Sequence, residues 1–163
     1  MLFVVMLGGK HPKAKIEVHD VVFAIGDSLT DCHPSLKAQW FGEPKGLHID
    51  SWLALDGFEG YRFNWSNVAP APGELKLFFI NLGGYTEGVF GENHQYLFVI
   101  ATDAKAAKAL AKSKISSDWQ KPHADAVIDV DDCIVLDEVD GRYLHLAAGL
   151  HQDPIQANDY IIL

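Results

Sequence analysis

The chain has 163 residues, 48% of them apolar, and sets 22 acidic against 13 basic side chains for a formal charge of −9. That length builds one ordinary domain, or two small halves that share a core. The acidic balance, with no Lys/Arg run interleaved with aromatics, excludes nucleic acid as a partner.

The first predicted element is the run Leu2 to Leu7, closed by Gly8 and Gly9. It is too short to span a bilayer, no basic segment precedes it, and no small-residue cleavage site follows it, so it reads as a buried strand and no membrane partner is expected. Two cysteines, Cys32 and Cys133, make no disulfide framework, and a reduced, cytoplasmic protein is the expectation. From Glu17 to Ile25 alternate positions hold Glu, His, Val, Phe and Ile, which predicts a second strand with a polar start and a core face at Phe23 and Ile25. Ser28 then caps a helix over Leu29–Phe41, where Pro34 is tolerable in the first turn. A third strand is predicted over about 47–55, with Ile49, Ser51, Leu53 and Leu55 on one face and His48 and Asp50 on the other. A fourth follows near Tyr61–Trp65.

After a Pro- and Ala-rich joint at 67–74 the pattern restarts. When the chain is laid over itself with Leu2 on Leu77, LFVVMLGG lies over LFFINLGG, Glu17-Val-His19 over Glu92-Asn-His94, His48-Ile-Asp50 over His123-Ala-Asp125, and Asp56 over Asp131. The second helix starts at Asp103 and runs through AKAAKALAKSK; a third strand is expected near 122–130 and a fourth near Arg142–Ala147, after an Asp140-Gly141 turn. The fold class expected is α+β: a tandem duplication of a β-β-α-β-β unit, its halves packed with pseudo-twofold symmetry. The divisions are 1–70, 75–150 and a tail, 151–163. The tail ends in Tyr-Ile-Ile-Leu, so it is expected to dock on the body or on a second copy, which would make a homodimer.

Gly26-Asp27-Ser28-Leu29 resembles the opening of the GDSL esterases, in which the serine is the nucleophile. The comparison fails elsewhere. Ser28 falls opposite Asp103, and serine and aspartate share the work of an N-cap, not nucleophilic chemistry. The nearest approach to that family's Gly-x-Asn-Asp element is Gly91-Glu-Asn-His94, no Asp-x-x-His occurs in the last third, and the element order is wrong for that fold. A hydrolase of this class is disfavoured.

The candidate binding residues are those that recur: Glu17, His19, His48 and Asp50, with Glu92, His94, His123 and Asp125. Imidazole beside carboxylate binds Zn, Mn or Fe, or serves as an acid–base pair. The simpler reading is that each carboxylate fastens its histidine to the sheet. By alternation the Glu17/His19 and His48/Asp50 pairs fall on opposite faces of one sheet, so no single four-donor site, no metal and no cofactor are expected. Gly8, Gly9, Gly83 and Gly84 read as turn glycines, because no phosphate-loop spacing or following helix accompanies them.

The LGG run, Glu-x-His, Trp-Phe-Gly after the helix, Lys45-Gly-Leu-His-Ile-Asp50 and the Asn-Leu-Gly-Gly-Tyr85 restart together resemble an uncharacterised bacterial family, domain of unknown function 1543. The resemblance implies one or two copies of the domain, here two, and no assigned activity. Function stays unknown. Binding or sensing of a small molecule in a cleft between the repeats ranks first. A metal-dependent enzyme and a non-catalytic assembly protein are the alternatives.

Overall fold

A computed structural model describes residues 1–85, 88–114 and 129–163. In chain order its elements are β1 (Leu2–Gly9), β2 (Val18–Ile25), α1 (Leu29–Gln39), β3 (His48–Leu55), β4 (Gly57–Phe58), β5 (Tyr61–Ser66), β6 (Lys76–Gly84), β7 (Asn93–Ala101), α2 (Ala104–Ser113), β8 (Asp129–Val135), β9 (Glu138–Val139), β10 (Arg142–Ala148), β11 (Ile155–Ala157) and β12 (Ile161–Ile162). Strands predominate and two short helices accompany them, an α+β composition. Two compact units are distinguished: Met1–Asn64 with Val139–Arg142 and Ala147–Leu163, and Trp65–Glu138 with Tyr143–Leu146.

In the first unit β1 is the centre of an antiparallel sheet in the order β11–β3–β1–β2, and β12 also pairs with β3. A central strand is apolar on both faces, and Leu2, Val5 and Leu7 have no exposed surface. Phe3, Val5 and Leu7 join Val22, Ala24, Ile49 and Ala54 in a core completed from α1 by Cys32 and Leu36. Each such large side chain contributes about 1.5–3 kcal/mol on burial. Burial in β2 therefore falls on Val22 and Ala24; Phe23 and Ile25 are half-buried, the reverse of the expected core face.

Ser28 is the N-cap of α1. Its Oγ accepts from Asp31 N at 3.3 Å, and Asp31 Oδ2 accepts from Ser28 N at 2.9 Å, a reciprocal capping box that also takes the Ser28 hydroxyl proton at 2.7 Å. The hydroxyl is thus committed to the helix end. Pro34 lies inside the helix, beyond the first turn, where it removes one backbone donor. The helix stops at Gln39, short of Phe41; Trp40 turns into the core and its Nε1 donates to Glu43 O at 3.0 Å. β4 and β5 form a hairpin about Glu59 and Gly60, whose φ angles of 46° and 84° are those of a two-residue left-handed turn. Asp140 and Gly141 adopt φ angles of 50° and 73° between β9 and β10, and the Asp140 carboxylate accepts from Ile25 N at 2.7 Å and Ser35 Oγ at 2.5 Å.

The second unit has β6 at the centre of a sheet in the order β7–β6–β8. Ala107 and Ala111 of α2 are fully buried against Phe78, Ile80, Leu82 and Val99, small residues that bring the helix close to the strands. Asp103 caps α2, accepting from Ala106 N at 2.9 Å. The third strand of this unit is β8, Asp129–Val135; most of the span expected for it, with His123, Ala124, Asp125, Ala126 and Ile128, lies outside the described residues.

Replacing Ser28 with alanine is expected to cost about 0.5–2 kcal/mol of stability, because it removes the cap of α1. Urea unfolding of the two proteins measures this, and an unchanged midpoint would contradict the capping role.

Candidate functional site

The site is built on one rung of the first sheet. Gly8 of β1 pairs with His19 of β2 on one side and with His48 of β3 on the other. Strands lie about 4.8 Å apart, so the two histidine backbones are roughly 10 Å apart with the glycine between them. Side chains on such a rung share a face, and Gly8 offers none, so the flanking side chains lean together over it. A Cβ at Gly8 would come within 2.5 Å of Asp50 Oδ2 and 2.6 Å of His48 Nε2. This glycine is set by close approach, not by a turn; it lies within β1. Gly9 and Gly84 end β1 and β6, and Gly83 lies within β6.

Strict alternation puts His48 and Asp50 on the face away from His19, and the structure corrects this. The β1–β3 register runs from Leu2↔Leu55 to Met6↔Ser51, then continues as Leu7↔Ile49 and Gly8↔His48. Asp50 is passed over. This one-residue bulge reverses the phase of β3 and brings His48 onto the rung and face of His19.

All four residues of the first set converge. His19 Nε2 lies 3.4 Å from Glu17 Oε1 and 3.2 Å from Asp50 Oδ2; His48 Nε2 lies 3.6 Å from Glu17 Oε1 and 3.3 Å from Asp50 Oδ1. Burial grades across the group. His48 is 2% exposed, and the side chains of Asp50, Glu17 and His19 are 30%, 46% and 47% exposed. His48 Nδ1 is 2.8 Å from Gly46 O. A carbonyl only accepts, so Nδ1 carries a proton, and the ring turns Nε2 toward the carboxylates. That Nε2, like Asp50 Oδ2, is buried with no hydrogen-bond partner among the described residues. The Tyr160 ring lies over His48 at 4.3 Å between centroids, carried there by β12, which pairs Ile161 with Ile49 and Ile162 with His48.

Of the second set, Glu92 and His94 lie beside Gly83, joined by Asp131. His123 and Asp125 lie outside the described residues. Asp131 is not among the expected binding residues, because the ungapped overlay sets it against Asp56. The β6–β8 register shows its place: Asn81↔Asp132 is followed by Leu82↔Val130, so Asp131 is passed over as Asp50 is. A signal for it exists in the sequence. A longer offset, which sets Asp50 on Asp131, also sets Leu55, Asp56 and Gly60 on Leu136, Asp137 and Gly141. The cysteines take no part in either group. Burial pushes the Cys32 thiol up to about 11, aided by the Asp140 carboxylate, and burial also raises Cys133.

The family model described as Domain of Unknown Function (DUF1543) matches residues 14–64, the segment that contains Glu17, His19, His48 and Asp50. The chain is also similar to the protein Il1583 from Idiomarina loihiensis, known from a crystal structure, with 34% identity over 98% of this chain and 94% of that one and a TM-score of 0.74. The chain belongs to the DUF1543 family. No curated protein matches this DUF1543 chain, and neither description names an activity. Among the described residues no helix is long and apolar enough to cross a membrane.

Gly8→Ala is expected to destabilise the protein by about 1–3 kcal/mol, since the added methyl must displace the buried His48 and the Asp50 carboxylate. Chemical denaturation checks this, with Gly46→Ala as a comparison that crowds no atom, though it strains a positive φ of 82°.

Proposed function

We propose that Glu17, His48 and Asp50 hold a divalent transition metal, with His19 on the solvent side as a further donor. One observation carries the reading: the buried His48 Nε2 faces carboxylate oxygens at 3.3 and 3.6 Å with no hydrogen bond between them. Nε2 and Asp50 Oδ2 are both buried without a partner, and a buried unsatisfied group costs about 1–3 kcal/mol. A cation among them removes that cost. The spacing fits, because tetrahedral bonds of about 2.1 Å place neighbouring donors roughly 3.4 Å apart. The Nδ1–H to Gly46 O contact is the second-sphere support that fixes a metal-binding tautomer.

Mixed imidazole and carboxylate donors suit Zn²⁺, Mn²⁺ and Fe²⁺. Glu17, His48 and Asp50 leave a solvent-facing position, as sites of the catalytic kind do, where His19, a water or a small oxygen ligand completes the sphere. The expected small-molecule binding is retained in this form, as completion of the metal's coordination sphere. The expectation that no metal binds is set aside in this reading, because the bulge removes the argument on which it stood.

We propose too that the chain carries two copies of the domain. The supporting observations are β1 and β6, each central among three strands, and a register shift one residue before Leu7 and Leu82. The turn bonds Phe63 N to Asp56 O at 2.9 Å and Leu144 N to Asp137 O at 3.0 Å also correspond. On this reading the offset that sets Leu7 on Leu82 holds through β7, and the longer one that sets Asp50 on Asp131 applies from β8 onward.

Metal-stripped protein should bind about one equivalent of Co²⁺ or Zn²⁺ tightly, and Co²⁺ should give a visible d–d spectrum. His48→Ala should lose this binding, and affinity should fall on acidification, as protons compete for the donors. Calorimetry and absorption spectroscopy measure both. A wild-type protein that binds neither ion, or a His48→Ala protein that binds as well as wild type, would overturn the proposal.

A further inference from the structure

The alternation of the tail sorts its apolar side chains into two sets. β12 lies antiparallel to β3 and pairs Ile161 with Ile49 and Ile162 with His48. Residues opposite one another in such a ladder share a face of the sheet. Ile161 therefore follows Ile49 into the core that α1 completes, and Leu163 packs there as well. Ile162 follows His48 onto the face of Gly8 and His19. Tyr160, two residues back, lies against the His48 ring at 4.3 Å between centroids.

The second set gains little from the core. Tyr160 is 68% exposed and Ile162 70%. Single exposed apolar residues are ordinary on a protein surface. Position distinguishes these two, because they continue the rung that carries the buried, unpartnered Nε2 of His48. A cation at Glu17, His48 and Asp50 thus has carboxylates beside it and a pair of apolar side chains further along the same face.

Distances along the rung set the size of what can use that pair. Strands lie about 4.8 Å apart, so Ile162 is roughly 10 Å from Gly8, with His48 and Tyr160 between them. A ligand the size of acetate, coordinated above Gly8, falls short of the tail. One that carries an aryl ring or a comparable chain reaches it. Charge restricts the other end of the ligand. Glu17 and Asp50 balance a divalent ion, and a metal-bound His48 is neutral. A neutral or singly charged oxygen group then leaves the site near neutrality, whereas a phosphate adds repulsion in a chain of formal charge −9.

We propose that the ligand completing the metal's sphere is an amphipathic small molecule, with a neutral or singly charged oxygen headgroup on the ion and an aryl-sized apolar body against Tyr160 and Ile162. The proposal rests on the metal reading of Glu17, His48 and Asp50. Two monoanionic chelators of the same headgroup, acetohydroxamate and benzohydroxamate, test it when titrated into the Co²⁺-loaded full-length protein and followed by the visible d–d spectrum. Benzohydroxamate should bind roughly tenfold tighter, the gain from covering a ring with apolar surface. Ile162→Ser and Tyr160→Ala should each lose most of that preference. The readout is the ratio of two affinities within one protein, so a general weakening of the Co²⁺ site cancels from it, and the exposed Ile162 can change without disturbing the core. Equal affinities in wild type, or a preference that survives both substitutions, would overturn the proposal and leave the metal site standing. Equal affinities together with a dimer that Ile162→Ser dissociates would overturn it by assigning the apolar pair to a second copy of the chain. A wild-type protein that takes up no Co²⁺ would remove the metal reading and this proposal with it.

Discussion

Everything at the candidate site depends on one extra residue in β3. Without Asp50 standing out of the β1–β3 ladder, His48 would point to the helix-covered face and His19 to the other. The bulge changes the phase of the strand at its polar end only. Beyond it, toward Leu55, the register is regular and the apolar rungs stay intact. A sheet can therefore keep a continuous core and still gather imidazoles and carboxylates at one end. The glycine is the other half of the same constraint, because a bulge aims the side chains but only a missing Cβ lets them close over the central strand.

Burial of His48 gives the group its character. A histidine this enclosed is normally satisfied at both nitrogens. Here one nitrogen is held by Gly46 and the other faces carboxylates without a bond. Tyr160 closes one side of the ring and the tail strands hold Tyr160 in place. Glu17 and His19 remain open to solvent, so the group is fixed at its base and accessible at its rim. In the second unit Glu92, His94 and Asp131, which lie beside Gly83, are all exposed.

Much of this was legible in the chain, in proportion to how local the governing physics is. The apolar strands at Leu2 and Leu77, the serine and aspartate caps and the Asp140-Gly141 turn depend on a few adjacent residues and formed as read, whereas Gly8, Gly9, Gly83 and Gly84, expected in turns, belong to the strands. The choice of Glu17, His19, His48 and Asp50 as a group was also available, because they sit two apart on strands. Their convergence was not available, because a bulge depends on how two strands compete for register and leaves no mark in the alternation of either. Asp131 was missed for a related reason. On the proposed two-copy reading, the overlay that sets Leu2 on Leu77 serves through β7 and not from β8 onward, and carrying it further set Asp131 against Asp56. The identical Leu-Asp pairs at 55–56 and 136–137, each followed by a glycine turn, were the clue to the longer spacing.

The pairing of the tail with β3 has a bearing on how the chain stays apart from its neighbours. β3 is eight residues long, and its segment HIDSWLAL carries large apolar groups along nearly its whole length. Left as the border of the sheet, it would offer a row of unpaired amides and carbonyls, the template on which strands of other molecules add. β11 occupies Leu53, Ala54 and Trp52, and β12 occupies Ile49 and His48, so the long border is exchanged for two short fragments. Trp52 Nε1 donates to Asp159 between them, a tie at 3.2 Å that holds the interruption in place. Borders so short give a foreign strand little to extend. The same tail that presses Tyr160 against His48 thus also acts as a guard against aggregation.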